Sequence, residues 1–172
     1  MNLKDTIRVV PDFPKAGISF KDITTLLRNA EALRQAVQLM ADYARERRVD
    51  MIFGVESRGF ILGAPLAYEL GLGFALIRKP GKLPGEVLRV DYDLEYGSDA
   101  LEIHKDAVEP GARVLIVDDL LATGGTISAA AQLVDKLDAE IAGIAFLIEL
   151  EFLKGRDRLE GYDILTLVQY QD

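Results

Sequence analysis

Apolar positions recur along this chain with two periods that take turns. From about Ala30 to Arg47 they return every three or four residues, with Leu33, Val37, Met40 and Ala44 on one stripe, which predicts an amphipathic helix. Its last turn, Arg45-Glu46-Arg47-Arg48, is a solvated basic end of the kind a helix dipole favours. Met51 to Val55 is an unbroken apolar run and Glu56-Ser57-Arg58-Gly59 a turn. Phe60 to Leu70 reads as a second helix stopped by Gly71, and Phe74 to Ile77 as another apolar run. Strand, helix and strand in that order predict a parallel pair with a right-handed crossover. Two alternating runs, Glu86 to Leu94 and Ala100 to His104, predict an antiparallel hairpin inserted into this pattern. Val114 to Val117 predicts a third buried strand. Ile127 to Leu137 predicts a helix with Ile127, Ala130, Ala131, Val134 and Leu137 inward. Ile141 to Leu150 and Ile164 to Val168 read as the last strands, with a short helix or turn between Phe152 and Leu159. Before all of these, residues 3–9 are expected to form a short helix, and Ile18 to Ile23 a short strand.

Alternating strands and helices place the chain in the α/β class, with a doubly wound, mainly parallel twisted sheet flanked by helices. Ligands of such sheets bind beyond the carboxyl ends of the strands. Three loops leave carboxyl ends here: Glu56 to Gly59, Arg78 to Gly85, and Asp118 to Thr126. They are expected to share one face. The 172 residues make one domain, without repeats or an interdomain linker.

Composition narrows the chemistry. Aromatic residues are only 8% against 49% hydrophobic, which suits an aliphatic interior. There is no cysteine, so disulfides, thiolate metal sites and cysteine nucleophiles are excluded, and the cytoplasm is the expected compartment. No apolar run is long enough to span a bilayer. A net charge of −8 argues against nucleic acid or a membrane surface as partner. A small anionic ligand is still accommodated where the positive groups are local. His104, the single histidine, is expected on the surface of the hairpin, away from the three loops.

The richest stretch runs from Val114 to Thr126. A buried strand passes through Asp118 and Asp119, then through Ala122-Thr123-Gly124-Gly125-Thr126, into a helix. Two glycines let backbone N–H groups turn inward, two threonines add hydroxyls, and the helix adds its dipole, a combination that fits a phosphate monoester. The loop lacks the Gly-Lys of a Walker A motif and the spacing of a dinucleotide fingerprint. Carboxylates just before such a loop accept hydrogen bonds from sugar hydroxyls or hold Mg²⁺. A phosphate beside a sugar diol is what a ribose 5-phosphate presents.

Val-Leu-Ile-Val-Asp-Asp-Leu-Leu-Ala-Thr-Gly-Gly-Thr resembles the phosphoribosyl diphosphate (PRPP) motif of the type I phosphoribosyltransferases. Further segments resemble the adenine-specific members of that family, in the same order and over nearly the whole chain. They are Pro11-Asp12-Phe13-Pro14, Gly17 to Ile23, Ser57-Arg58-Gly59-Phe60, Leu76-Ile77-Arg78-Lys79, Gly81-Lys82-Leu83-Pro84 and Leu94-Glu95-Tyr96-Gly97. Glu56 stands where some members carry Asp. The resemblance implies a type I phosphoribosyltransferase fold with an N-terminal hood (residues 1–25) and an inserted flexible loop and hairpin lid (residues 79–104). It implies that adenine and PRPP give AMP and diphosphate, with Mg²⁺ held mainly through PRPP and no metal-ligating side chain assigned. By position, Asp118, Asp119, Ala122, Thr123, Gly124, Gly125 and Thr126 would hold the ribose 5-phosphate. Arg78, Lys79, Lys82, Glu56 and Ser57 would face the diphosphate. Ile18, Phe20, Arg58 and Leu150 would hold adenine, with Glu95 as acid/base and Tyr96 helping to close the lid. The family is homodimeric, so a second copy is the expected partner. A transferase for another purine base would carry the same PRPP motif, because base choice rests on a few contacts near Ile18 to Phe20. A PRPP-sensing regulator that binds nucleic acid would need a basic face, which the net charge disfavours.

Overall fold

The computed structural model describes residues 1–94 and 96–172; Glu95 lies outside the described residues. A 3-10 turn, Leu3–Thr6, leads into β1 (Arg8–Val10), which pairs antiparallel with β2 (Phe20–Asp22). The expected helix over residues 3–9 is thus a single tight turn followed by a strand, because Arg8 to Val10 finds a ladder partner in β2. A short helix, α1 (Thr24–Leu27), precedes α2 (Ala30–Glu46), whose N-terminus is capped by Asn29 accepting from the N–H groups of Glu31 and Ala32. Next come β3 (Met51–Val55), α3 (Arg58–Leu70), β4 (Gly73–Ile77), and the hairpin of β5 (Val87–Asp93) and β6 (Ser98–His104). Then follow β7 (Arg113–Leu121), α4 (Gly125–Lys136), β8 (Glu140–Leu150), two 3-10 turns (Glu151–Leu153 and Gly155–Arg158) and β9 (Ile164–Tyr170).

The main sheet has the order β4-β3-β7-β8-β9, and every neighbouring pair is parallel. Both of its faces are covered, which is why its strands read as unbroken apolar runs. Period-2 alternation divides β7 between two cores. Leu115 and Val117 pack with Met40, Leu62 and Leu66 from α2 and α3. Val114 and Ile116 pack with Ile127, Leu133 and Val134 from α4. The hairpin joins this second core through Val90, Leu101 and Ile103, so its base is part of the packed interior.

Three expectations shift in detail. In α2 the buried line is Ala32, Ala36, Met40, Ala41, Tyr43 and Ala44, while Leu33 and Val37 are only half-buried. This line mixes alanines with Met40 and Tyr43, and Tyr43 packs against Gly143 of β8, where a Cβ would lie 2.7 Å from the Tyr43 hydroxyl. β7 runs on through Asp118 and Asp119 to Leu121, since β8 continues to pair with it. α3 begins at Arg58 and α4 at Gly125, each about one turn or less before the first apolar position of its stripe.

Candidate active site

The carboxyl ends of β3, β4 and β7 open on one cavity of about 300 Å³, lined by Glu56 to Arg58, Lys79 and the whole stretch from Asp118 to Ile127. All three loops expected on one face therefore meet there. At its floor Gly124 adopts φ 86°, a left-handed conformation that favours glycine, and α4 starts at the next residue. No side chain caps this helix, so its first N–H groups are open towards the cavity. An oxyanion seated there would meet backbone donors and the positive end of a 12-residue helix. Thr126 is half-buried beside them and Thr123 is exposed at the rim.

The two acids differ sharply. Asp119 is buried and its Oδ2 accepts from Arg58 Nε at 2.5 Å, an ion pair that ties the start of α3 to β7. The Asp119 carboxylate, more than burial opposes it, raises the Arg58 pKa. Asp118 is half-buried and one of its oxygens accepts the Asp119 N–H at 2.8 Å. Among the described residues its other oxygen has no hydrogen-bond donor. Burial first, and the Asp119 charge second, push its pKa well above the ordinary carboxylate range. Gly59 lets α3 approach this corner: a Cβ there would lie 2.7 Å from the Val117 carbonyl oxygen.

The basic stretch Arg78 to Gly85, expected as an exposed loop, is exposed at Gly81, Lys82, Pro84 and Gly85 and held by polar contacts at several points. Arg78 forms an antiparallel bridge with Glu102, and the Glu102 carboxylate accepts the Gly81 N–H at 2.8 Å. Lys82 Nζ donates to Glu56 Oε2 at 2.9 Å, the Lys79 N–H donates to Glu56 Oε1, and Arg78 Nε lies 3.8 Å from that oxygen. Lys79 Nζ pairs with Asp99 and donates to the Tyr92 hydroxyl at 3.1 Å. Burial works to raise the Glu56 pKa, but these donors outweigh it and hold the carboxyl below its ordinary value. Ser57 lies between Glu56 and Arg58 on the cavity wall. His104 does not stand apart from the loops as expected: its Nε2 lies 2.6 Å from the Pro84 carbonyl oxygen, because the hairpin folds back along the basic stretch.

Beside this cavity lies a smaller apolar slot of about 120 Å³. Ile18, Phe20, Arg58 and Leu150, far apart in sequence, all line it. The Phe20 ring is half-buried and meets Phe13 edge-on, with centroids 5.2 Å apart and planes at 71°. The neighbouring Asp22 is structural: the Thr24 hydroxyl first, then Arg8, bring its pKa down to about 2. Glu95, expected near this slot, lies outside the described residues. Sequence reasoning missed Leu120 and Ile148 as slot walls and Asp99 and Glu102 as partners of the basic stretch. The first two sit in strands whose apolar runs continue past the residues singled out. The two acids stand three residues apart in β6, on opposite faces of the strand, and nothing in the chain order ties them to Lys79 and Gly81.

Residues 22–167 match the phosphoribosyl transferase domain family. The chain is 62% identical over 170 residues to adenine phosphoribosyltransferase of Clostridium perfringens, covering 99% of each, and 61% identical over 164 residues to that of Desulfitobacterium hafniense, covering 95% of each. Its fold superposes on the crystal structure of adenine phosphoribosyltransferase from Thermoanaerobacter pseudethanolicus with a TM-score of 0.94 at 56% identity, covering 98% of each chain. The Saccharomyces cerevisiae enzyme, crystallised with an imino-altritol bisphosphate and adenine, gives a TM-score of 0.92 at 43% identity over 96% of each chain.

Proposed function

The chain belongs to the phosphoribosyl transferase domain family, and from that premise we propose that it transfers the 5-phosphoribosyl group of PRPP to adenine, giving AMP and diphosphate in purine salvage. One observation carries the reading beyond the family. The anion cavity and the apolar slot meet across the same three residues, Arg58, Asp119 and Leu120. A flat base on one side and a phosphate on the other leave the ribose to bridge them, over the two carboxylates.

The reaction breaks the bond from ribose C1 to the diphosphate oxygen and forms one from C1 to a ring nitrogen of adenine, which loses its proton. Positive charge develops on the sugar and negative charge on the leaving diphosphate. Lys79 lines the cavity, Arg78 and Lys82 are drawn to Glu56 on its wall, and these three cations would stabilise the charge on the departing diphosphate, electrostatic stabilisation being the main lever open to such a site. Glu56 cannot donate to an anion. Its role is to gather the cations and the Lys79 N–H before substrate arrives. Asp118 and Asp119 accept from the ribose hydroxyls. The Ala122 to Thr126 backbone cradles the 5-phosphate. Phe20 stacks on adenine, Ile18 and Leu150 wall it, and Glu95 exchanges the proton of the base.

The donor set suits Mg²⁺. It favours one or two carboxylates together with substrate phosphates over an all-protein cage, and the described residues hold no cluster of three or more metal-ligating side chains. Asp118, crowded by a like charge, has the freer oxygens for it. When bound, Mg²⁺ neutralises charge on the departing diphosphate. The family resemblance supports a homodimer, and the cysteine-free composition a cytoplasmic setting. None of the described helices is long and apolar enough to cross a membrane.

Turnover assayed with adenine, hypoxanthine, guanine, xanthine and orotate tests the reading. Adenine is expected to be the preferred acceptor, and no turnover of it would sink the proposal. Glu95→Gln is expected to lower kcat, and unchanged turnover removes Glu95 from the chemistry.

A further inference from the structure

Glu149, near the end of β8, is only 4% exposed although it carries a charge. Charged side chains sit that deep only when fully paired. Arg156 Nε and Nη2 donate to its two oxygens at 2.7 and 2.9 Å, a bidentate fork, and the Thr166 hydroxyl donates to Oε2 at 2.8 Å. Burial works to raise the Glu149 pKa, but Arg156 and Thr166 outweigh it and hold the carboxyl below its ordinary range.

Arg156 belongs to the 3-10 turn Gly155–Arg158, so the fork ties that turn to β8 and β9. The turn in its place touches the phosphate loop directly. A Cβ on Gly155 would lie 2.5 Å from the Ala122 carbonyl oxygen and 2.7 Å from Leu121 Cδ1. A Cβ on Gly124 would lie 2.6 Å from the Gly155 carbonyl oxygen. The two segments therefore meet backbone against backbone, with room for no side chain between them. A loop rich in glycine is conformationally free unless something holds it.

We propose that Gly155 and the Glu149–Arg156 pair are positioning residues for the 5-phosphate cradle, seating the Ala122 to Gly125 backbone so that its N–H groups converge before substrate binds. The inference rests on the phosphoribosyl-transfer reading. It assigns a ligand-binding function to a turn some thirty residues beyond the recognisable motif.

The experiment compares the wild type with Gly155→Ala and Arg156→Lys, the latter keeping the charge but losing the fork. Calorimetric binding of ribose 5-phosphate is measured beside the Michaelis constants for PRPP and adenine and the melting temperature. Gly155→Ala is expected to weaken ribose 5-phosphate at least tenfold and to raise the PRPP constant in proportion. The adenine constant at saturating PRPP should stay within twofold. Arg156→Lys is expected to fall between it and the wild type, and carries the test alone if Gly155→Ala does not fold. Folded variants that bind ribose 5-phosphate as the wild type does, whatever their melting temperature, overturn the inference. Failure of the wild type itself to turn over adenine overturns the functional reading instead, so the two are separable.

Discussion

Replacing Phe20 by alanine separates the base slot from the phosphate cavity. The ring lies on the short β2 strand and is half-buried, touching Phe13 edge-on at 5.2 Å. An aromatic pair of that geometry contributes about 0.5–1.5 kcal/mol, and the partly exposed site leaves little closed cavity, so stability should fall by no more than about 1.5 kcal/mol. Stacking of a nucleobase on an aromatic ring is worth about 1–3 kcal/mol. That range corresponds to roughly a 5- to 150-fold weaker hold on adenine. The slot is only about 120 Å³, its other apolar walls are the aliphatic Ile18, Leu120, Ile148 and Leu150, and among the described residues no second aromatic ring lines it to take over. Steady-state kinetics with each substrate varied at saturation of the other would show a raised adenine constant and a PRPP constant within twofold of wild type. Phe13→Ala, which removes only the edge contact, should move the adenine constant far less. An unchanged adenine constant in folded Phe20→Ala, or an equal rise for both substrates, refutes the assignment of Phe20 to the base.

The other predictions concern the charged half of the site. Asp118 has a raised pKa in the folded protein, so its ionised form costs stability: the penalty is absent below the ordinary carboxylate range, grows as pH rises through the raised value, and is complete above it. Asp118→Asn should therefore stabilise the protein by about 0.5–2 kcal/mol at pH 8, by less as pH falls, while sharply reducing turnover; urea unfolding as a function of pH checks the sign. Lys82 is half-exposed and paired to Glu56, so Lys82→Ala should change stability by less than about 1 kcal/mol. The same substitution should weaken inhibition by diphosphate roughly ten- to a hundredfold, since hydrogen bonds to charged groups are worth about 1.5–3 kcal/mol. Gly59→Ala sets a methyl 2.7 Å from the Val117 carbonyl oxygen and 3.3 Å from both Asp118 Cα and Asp118 Oδ1. It should cost about 1–3 kcal/mol by thermal unfolding and raise the PRPP constant; wild-type stability would show that the close approach is not constrained.

Much of this molecule was legible in one dimension. The strands of the main sheet announce themselves because both faces are buried, which requires apolar residues at every position from Val114 to Val117. The phosphate loop is legible because a backbone anion site needs small residues in succession, and such a site is built from one continuous segment, Asp118 to Thr126. The end of α3 is legible because Gly71 must adopt φ 67°. Where the sequence was silent or misleading, long-range partners decide. Residues 3–9 carry an apolar pattern that suits a helix, yet Arg8 to Val10 pairs with β2. The basic stretch looks like a free loop, but Glu56, Asp99 and Glu102 anchor it from two other elements.

By itself, then, the amino-acid sequence determined the α/β class, the strand-loop-helix that holds a phosphate, and the family to which both belong. Each depends on residues within one element, or on a motif read in order. The grouping of Ile18, Phe20, Arg58 and Leu150 came only through family resemblance, and the tertiary structure alone decided that they line one slot with Leu120 and Ile148, that Arg58 and Asp119 join it to the anion cavity, and that Gly155 underlies the phosphate loop. The physical reason is that these contacts are made by side chains and backbone from separate elements, brought together by sheet order and packing, which leave no periodic mark along the chain.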